Sequence, residues 1–283
     1  MAKETTISIV GAGNVGSALA FRFAHQGYRV ELVSRKPEQA LTRLSNALAR
    51  RKLVCPPNLI IHDYPLSFHL SSLVLFCVPD RAIELTARLL ADRFCGNEVA
   101  AHCSGLFDRT VLDDIKRKGC AIASAHPLNT FPNLLAALDL LHNEHSSYLY
   151  CEGEASALGL IHTLFKDIGF NPQTIDASSK TLYHAACVFA CNYLTVLMDM
   201  SLQTAQAAGL EPRDFFRACQ PIIKATLENL DSHPPEAALS GPIARGDLQT
   251  VNRHIDALLI EAPELAGIYR VFTNYATTML ERS

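Results

Sequence analysis

"TTISIVGAGNVGSALAFRFAHQGYRVELVSRK", residues 5–36, decides the fold. It reads as strand, glycine turn, helix, strand. The run Ile7–Val10 is largely apolar and β-branched and stops at Gly11-Ala12-Gly13-Asn14-Val15-Gly16. Ala18, Leu19, Phe21, Phe23 and Ala24 then supply the apolar positions of a helix, Gly27 closes it, and "YRVELV" opens the next strand. A G-x-G-x-x-G pattern alone is weak. Flanked by a strand before and a helix after, it predicts a dinucleotide-binding turn. Gly11 permits the tight turn, Gly13 lets a pyrophosphate approach the backbone, and Gly16 allows close helix–strand packing. The helix N-terminus, at Asn14 and Val15, offers free N–H groups and the positive end of its dipole. The competing reading is a glycine turn without a ligand.

The end of the second strand bears on which dinucleotide binds. An NAD-specific turn places Asp or Glu there, roughly 20 residues after the first glycine. Glu31 lies too early, inside the strand, and the strand end carries Ser34, Arg35 and Lys36. A small hydroxyl followed by two cations suits a ribose 2′-phosphate, so NADP is the expected cofactor. The competing reading is that Arg35 and Lys36 simply begin an exposed loop before Pro37.

Further strand candidates are "NLIIHDY", "SLVLFCVPD", "EVAAHCSG", "AIASAH" and "SYLYCEG", with helical stretches such as "RAIELTARLLADRF" and "RTVLDDIKRKG" between them. This alternation predicts an α/β fold with a doubly wound, mostly parallel sheet. Ligands collect at the carboxyl ends of such strands. That places Val78 and Pro79 beside the cofactor, and Ser104 and His126 towards a substrate. For His126 a structural capping role before Pro127 stands equally open.

After "GFNPQTID" the strand signals stop. Lys180–Thr204, Pro212–Leu230, Leu248–Ile260 and Pro263–Glu281 carry helix-period apolar positions. The expected division is a Rossmann domain over residues 1–176 and an all-helical domain over 177–283. On the first of these helices Lys180 and His184 lie one turn apart on nearly the same face. Asn192 lies two turns beyond His184 and rotated by roughly 80° if the helix is regular. Reduction of a carbonyl or imine by hydride needs a proton donor and a polarising group, roles open to lysine and histidine. A solvated lysine and a satisfied core histidine are the plainer alternatives. In "LSGPIARGDLQTVNRH" (239–254), Arg245 is a possible anion clamp and Asp247 reads as an N-cap.

A net charge of -3 with 19% charged and 49% apolar residues describes a soluble globular chain and gives no sign of nucleic acid or membrane as partner. Nine scattered cysteines without a C-x-x-C pair read as packing thiols, Cys187 and Cys191 included, with no metal site implied. Residues 183–200 form the longest apolar stretch, interrupted by His184, Asn192 and Asp199, which favours a buried helix over a spanning one. The first apolar run is too short for a secretory signal, so the expected location is cytoplasmic.

"GAGNVGSALA", "HCSG", "AHPLNTF", "YHAACVFACNYL" and "SGPIARGD" occur in the order found in a family of two-domain Rossmann-like bacterial proteins whose C-terminal domain has no assigned function. The chain also resembles the 6-phosphogluconate dehydrogenase superfamily, which includes pyrroline-5-carboxylate reductase and deazaflavin-dependent NADP reductases. The resemblance implies an NADP-binding domain, a helical domain that forms a homodimer, and an active site in the cleft between them. In β-hydroxyacid dehydrogenases of that superfamily the interdomain helix carries a lysine and, one turn later, an asparagine. Lys180 falls at the lysine, while His184 occupies the asparagine position. The departure argues against hydroxyacid oxidation and leaves reduction of another C=O or C=N. The expectation is an NADP(H)-dependent oxidoreductase of a small polar metabolite, with Lys180, His184, His126 and Ser104 at the chemistry and Asn192 and Arg245 orienting the substrate. The alternative is a non-catalytic NADP-binding sensor or partner protein.

Overall fold

The computed structural model describes residues 3, 5–64, 71–142 and 147–282. It divides into two compact units, Met1–Val188 and Phe189–Ser283.

Among the described residues, the first unit is built on eight strands in the order β3-β2-β1-β4-β5-β6-β7-β8. They span Thr6–Val10 (β1), Arg29–Ser34 (β2), Leu59–Asp63 (β3), Leu73–Phe76 (β4), Val99–His102 (β5), Ala121–Leu128 (β6), Ser147–Gly153 (β7) and Phe170–Thr174 (β8). β1 to β6 run parallel, β7 is antiparallel to β6, and β8 is parallel to β7. The mostly parallel sheet expected from the alternating pattern is therefore present. The order in which strands are added reverses between β1 and β4, the switch point at which an open α/β sheet leaves a crevice for ligand. Helices cover it at Asn14–His25 (α1), Pro37–Arg50 (α2), Asp80–Leu90 (α3), Asp113–Lys116 (α4), Leu134–His142 (α5) and Ala155–Asp167 (α6).

Strands buried on both faces need unbroken apolar runs, and β4, "LVLF", is buried throughout. One core joins β1 and β2 to α1 and α6, where Phe23 and Phe165 meet edge to face at 5.3 Å. Burying each such ring contributes about 2 kcal/mol. A second core on the opposite face gathers Val10, Val33, Phe76, Ile83 and Ile122. Two prolines sit within strands. Pro172 is on edge strand β8, and Pro127 is in the part of β6 that extends past β5, whose pairing stops at His102↔Ser124. Neither position needs the missing N–H on that side. The extension carries His126 beyond the end of β5.

The first unit ends in a helix, Lys180–Cys187 (α7), which passes into a π-helical segment at Val188–Tyr193. The strands end at Thr174, as the sequence indicates, but the division between units falls inside the helical segment, because the first turns of α7 pack on the sheet.

The second unit holds Leu194–Ala207 (α8), Pro212–Ser232 (α9), Pro235–Ala238 (α10), Leu248–Glu261 (α11) and Pro263–Leu280 (α12). Its core is small: Leu258, Ala262, Leu265 and Ala266, with Met200, Ile268 and Tyr269 packed against them. Asp247 caps α11 as its position predicts, accepting from the Thr250 N–H at 3.0 Å. One helical stretch among the described residues, Ala177–Ala207, is long and apolar enough to cross a membrane. The expectation of a buried helix is not met within this chain. None of its most apolar window is buried, since the small core beside α8 leaves most of that helix uncovered.

Candidate functional site

The glycine turn joins β1 to α1 at the switch point. Gly11 has φ 114°, and a Cβ there would stand 2.6 Å from the Cys77 carbonyl oxygen at the end of β4. A Cβ on Gly16 would fall 1.9 Å from the Gly11 oxygen. Both glycines are therefore forced by close packing. A Cβ on Gly13 would meet nothing nearer than 3.9 Å, so that residue leaves the turn's open face clear. Among the described residues no side chain caps α1, and no acid stands in its first turn, which leaves the leading N–H groups free for an anion. These features fit a dinucleotide pyrophosphate. Val78 borders the turn, its Cγ1 3.0 Å from the Gly11 Cβ position, and Pro79 precedes α3. The Asn14 side chain is engaged elsewhere, donating to the Phe131 carbonyl at 3.0 Å.

At the end of β2, Arg35 and Lys36 are exposed. The Lys36 N–H donates to Ser34 Oγ at 3.1 Å. Glu31 pairs with Ser8 in mid-strand, is 2% exposed, and meets Arg29 at 3.2 Å and His62 at 3.4 Å. It is thus not the acid an NAD turn would use.

A second polar group lies at the carboxyl ends of β5 and β6. His102 is fully buried. Its Nδ1 accepts from the Ser104 N–H at 3.2 Å, so the proton sits on Nε2, which donates to the Asp108 carbonyl at 2.9 Å. Burial, against that bond and aided by the Lys180 charge, pulls its pKa down to about 4. Ser104 Oγ accepts from the Leu106 and Phe107 N–H groups at 3.1 and 3.2 Å. The serine hydroxyl expected to face a substrate is therefore turned into its own loop.

Lys180 is 1% exposed, and its Nζ donates to the Ser104 carbonyl at 3.0 Å and to Ser124 Oγ. Burial lowers its pKa, opposed by the charge of Glu152. Glu152 is buried and tied to Arg109, which donates through its backbone N–H at 2.5 Å and through Nη1 at 2.7 Å. The ammonium thus pins the 104–105 loop to β6.

His126 and His184 come together, as does a residue the sequence reading missed. Tyr183 Oη lies 2.8 Å from His126 Nδ1. The His126 and His184 rings stand edge to face at 6.1 Å. Both converge on Gly105, where a Cβ would lie 2.6 Å from His184 Cδ2 and 3.0 Å from His126 Nε2. Burial, with the Lys180 and His184 charges, pulls the His126 pKa down to about 4, so the ring is neutral near pH 7. Burial, then a bond to Cys187, raises the Tyr183 pKa and keeps its phenol protonated. Tyr183 was legible as the i+3 partner of Lys180 on the face that meets the sheet, but nothing local distinguishes it from a packing aromatic. Cys77 and Cys103 follow the ends of β4 and β5, and their sulfurs lie 3.5 Å apart.

Asn192 and Arg245 belong to the second unit and are exposed. The π segment overturns the regular-helix rotation expected for Asn192, because a π turn holds more residues than an α turn. Arg245 lies in the turn between α10 and α11, its N–H donating to the Gly241 carbonyl at 3.3 Å.

Residues 2–127 match the Rossmann-like domain family, and residues 147–276 match a domain of unknown function, DUF2520. The NAD(P)+ glycerol-3-phosphate dehydrogenase of Moorella thermoacetica is 38% identical over 91 residues, which is 31% of this chain and only 27% of that enzyme's length. A Bacteroides fragilis protein assigned as an NADP oxidoreductase superposes with a TM-score of 0.76 at 17% identity, over 97% of this chain and 98% of its own. A Thermotoga maritima protein gives 0.71 at 24% identity, over 98% of both chains. The reductive aminase of Aspergillus terreus, solved with NADPH and ethyl levulinate, gives 0.68 at 16% identity, over 98% of this chain and 95% of that one. At these identities the likeness to solved structures is one of fold.

Proposed function

We propose that this chain, a Rossmann-like domain followed by a DUF2520 domain, is an NADP(H)-dependent oxidoreductase that reduces a C=O or C=N bond of a small polar metabolite. The observation that carries the reading is the convergence of His126 and His184 over Gly105, on the sheet edge that also bears the dinucleotide turn. The structural relatives, one assigned as an NADP oxidoreductase and another a reductive aminase, support it.

Gly11, Gly13, Gly16 and the first N–H groups of α1 hold the pyrophosphate, with Val78 against the turn. When bound, the nicotinamide supplies the hydride. The protein supplies the proton and the polarisation. Tyr183, kept as phenol, donates to His126 Nδ1 and so places the ring proton on Nε2, towards Gly105. A neutral imidazole N–H polarises the acceptor without first giving up a charge. His184, half-exposed, delivers the proton and recovers it from water. Lys180 is a positioning residue that fixes the loop on which both rings rest.

The test is NADPH oxidation against a panel of ketones, aldehydes and imines, with His126→Ala and His184→Ala alongside. Losses of about 100-fold in kcat are expected for each, the range of positioned acid–base groups. Turnover unchanged in both variants would sink the assignment.

Two further parts of the reading rest on separate observations. Leu182, Phe189, Tyr193 and Val196 are 78%, 70%, 48% and 44% exposed along one apolar helical stretch, which supports a homodimer in which a second copy covers it. All nine cysteines are free, which supports a reducing, cytoplasmic setting.

A further inference from the structure

Arg43 has no part in the sheet, the core or the histidine cluster. It stands in the second turn of α2, exposed, with no acidic partner among the described residues. Its Nη2 donates to the carbonyl of Ala12, inside the glycine turn. A long cationic side chain on a surface helix usually points to water, because fixing it costs about 2 kcal/mol of rotamer entropy. Here it crosses from α2 to the turn instead.

The place it reaches is where three parts of the chain come together. Gly11 and Ala12 form the first, held beside β2 by the Gly11 N–H donating to the Val33 carbonyl at 3.0 Å. Ser34, Arg35 and Lys36 form the second. The Arg43 side chain is the third. Asp63, the carboxylate in register with Ser34, is turned back to its own chain, accepting from the Tyr64 N–H at 2.8 Å.

We infer that Arg43 is a specificity-determining residue for the cofactor, a third cation that binds the 2′-phosphate of the adenosine ribose together with Arg35 and Lys36. The guanidinium carries five donors and spends one on Ala12, leaving others for a phosphate dianion. The same bond sets its position relative to the turn that holds the pyrophosphate, so the two anionic groups of one ligand are read by one connected frame. This rests on the NADP reading proposed above.

The test is calorimetric titration of the full-length protein with NADPH, NADH, 2′-phosphoadenosine 5′-phosphate and 5′-AMP, repeated with Arg43→Gln and Arg43→Lys. The glutamine variant is expected to weaken NADPH and the 2′-phosphorylated fragment about ten- to hundred-fold, the range for a hydrogen bond to a charged group. NADH and 5′-AMP are expected to stay within about two-fold, and the lysine variant to recover part of the loss. Equal losses for all four ligands would make Arg43 a brace for the turn, and unchanged NADPH affinity would leave it idle; either result overturns the inference. Wild-type protein that binds NADH as tightly as NADPH overturns the NADP reading itself, which the unmodified protein alone reveals.

Discussion

Gly105→Ala is the sharpest single probe of the histidine cluster. The added Cβ would stand 2.6 Å from His184 Cδ2 and 3.0 Å from His126 Nε2 and Cε1. Ordinary carbon contacts lie near 3.5–4.0 Å, so His184 must move by about 1 Å and His126 by somewhat less. The atoms that must yield are side-chain rings rather than backbone, and His184 is half-exposed, with room to swing outward. The fold therefore loses little, about 1 kcal/mol, the low end for overpacking. In a unit of this size that lowers Tm by about 2–4 °C. Catalysis is far less tolerant, since a 1 Å misplacement of reacting groups costs about 100-fold. The expected result is a small Tm change beside a large fall in kcat, with NADPH binding unchanged because the glycine turn is untouched. Calorimetry for Tm and cofactor affinity, and NADPH oxidation for kcat, separate these quantities. Wild-type kcat in a folded Gly105→Ala protein would refute the idea that the two rings act over Gly105.

Gly16→Ala sets a Cβ 1.9 Å from the backbone oxygen of Gly11, which has no rotamer to escape into. It should cost more than about 3 kcal/mol and abolish the thermal shift given by NADPH. His102 and His126 both titrate near 4 when folded, below the ordinary histidine value of 6.5. The unfolded chain then binds more protons between those limits, so stability is full above about pH 6.5 and falls as pH drops towards 4. His102 accounts for on the order of 3 kcal/mol of this fall. His102→Gln should flatten the acid limb of urea midpoints measured from pH 8 to pH 4.5, and an unchanged limb would count against its neutral burial. Light scattering on the purified protein should give twice the monomer mass without detergent. A monomer that stays dispersed only in detergent would instead favour a membrane for the apolar helix.

The turn was readable because its requirements are local. A glycine that must curve and another that must approach a strand are written in residues next to one another, with the strand and helix on either side. Asp247 was readable for the same reason, since a cap bonds three residues ahead. The helical positions of Lys180 and His184 were half readable. Periodicity put them on one face, but not which of them the sheet would bury. The structure buries Lys180 against Ser104 and Ser124 and leaves His184 open.

By itself, then, the sequence determined the doubly wound sheet, the dinucleotide turn and the helical second half, because each follows from periods and turn residues a few positions apart. Only the tertiary structure decided that His126 meets Tyr183, 57 residues away. That meeting depends on β6 outrunning β5 and on α7 packing across its end. It also decided that Ser104 faces its own loop and that Arg43 reaches Ala12. These contacts are set by how elements stack, and no spacing along the chain records it.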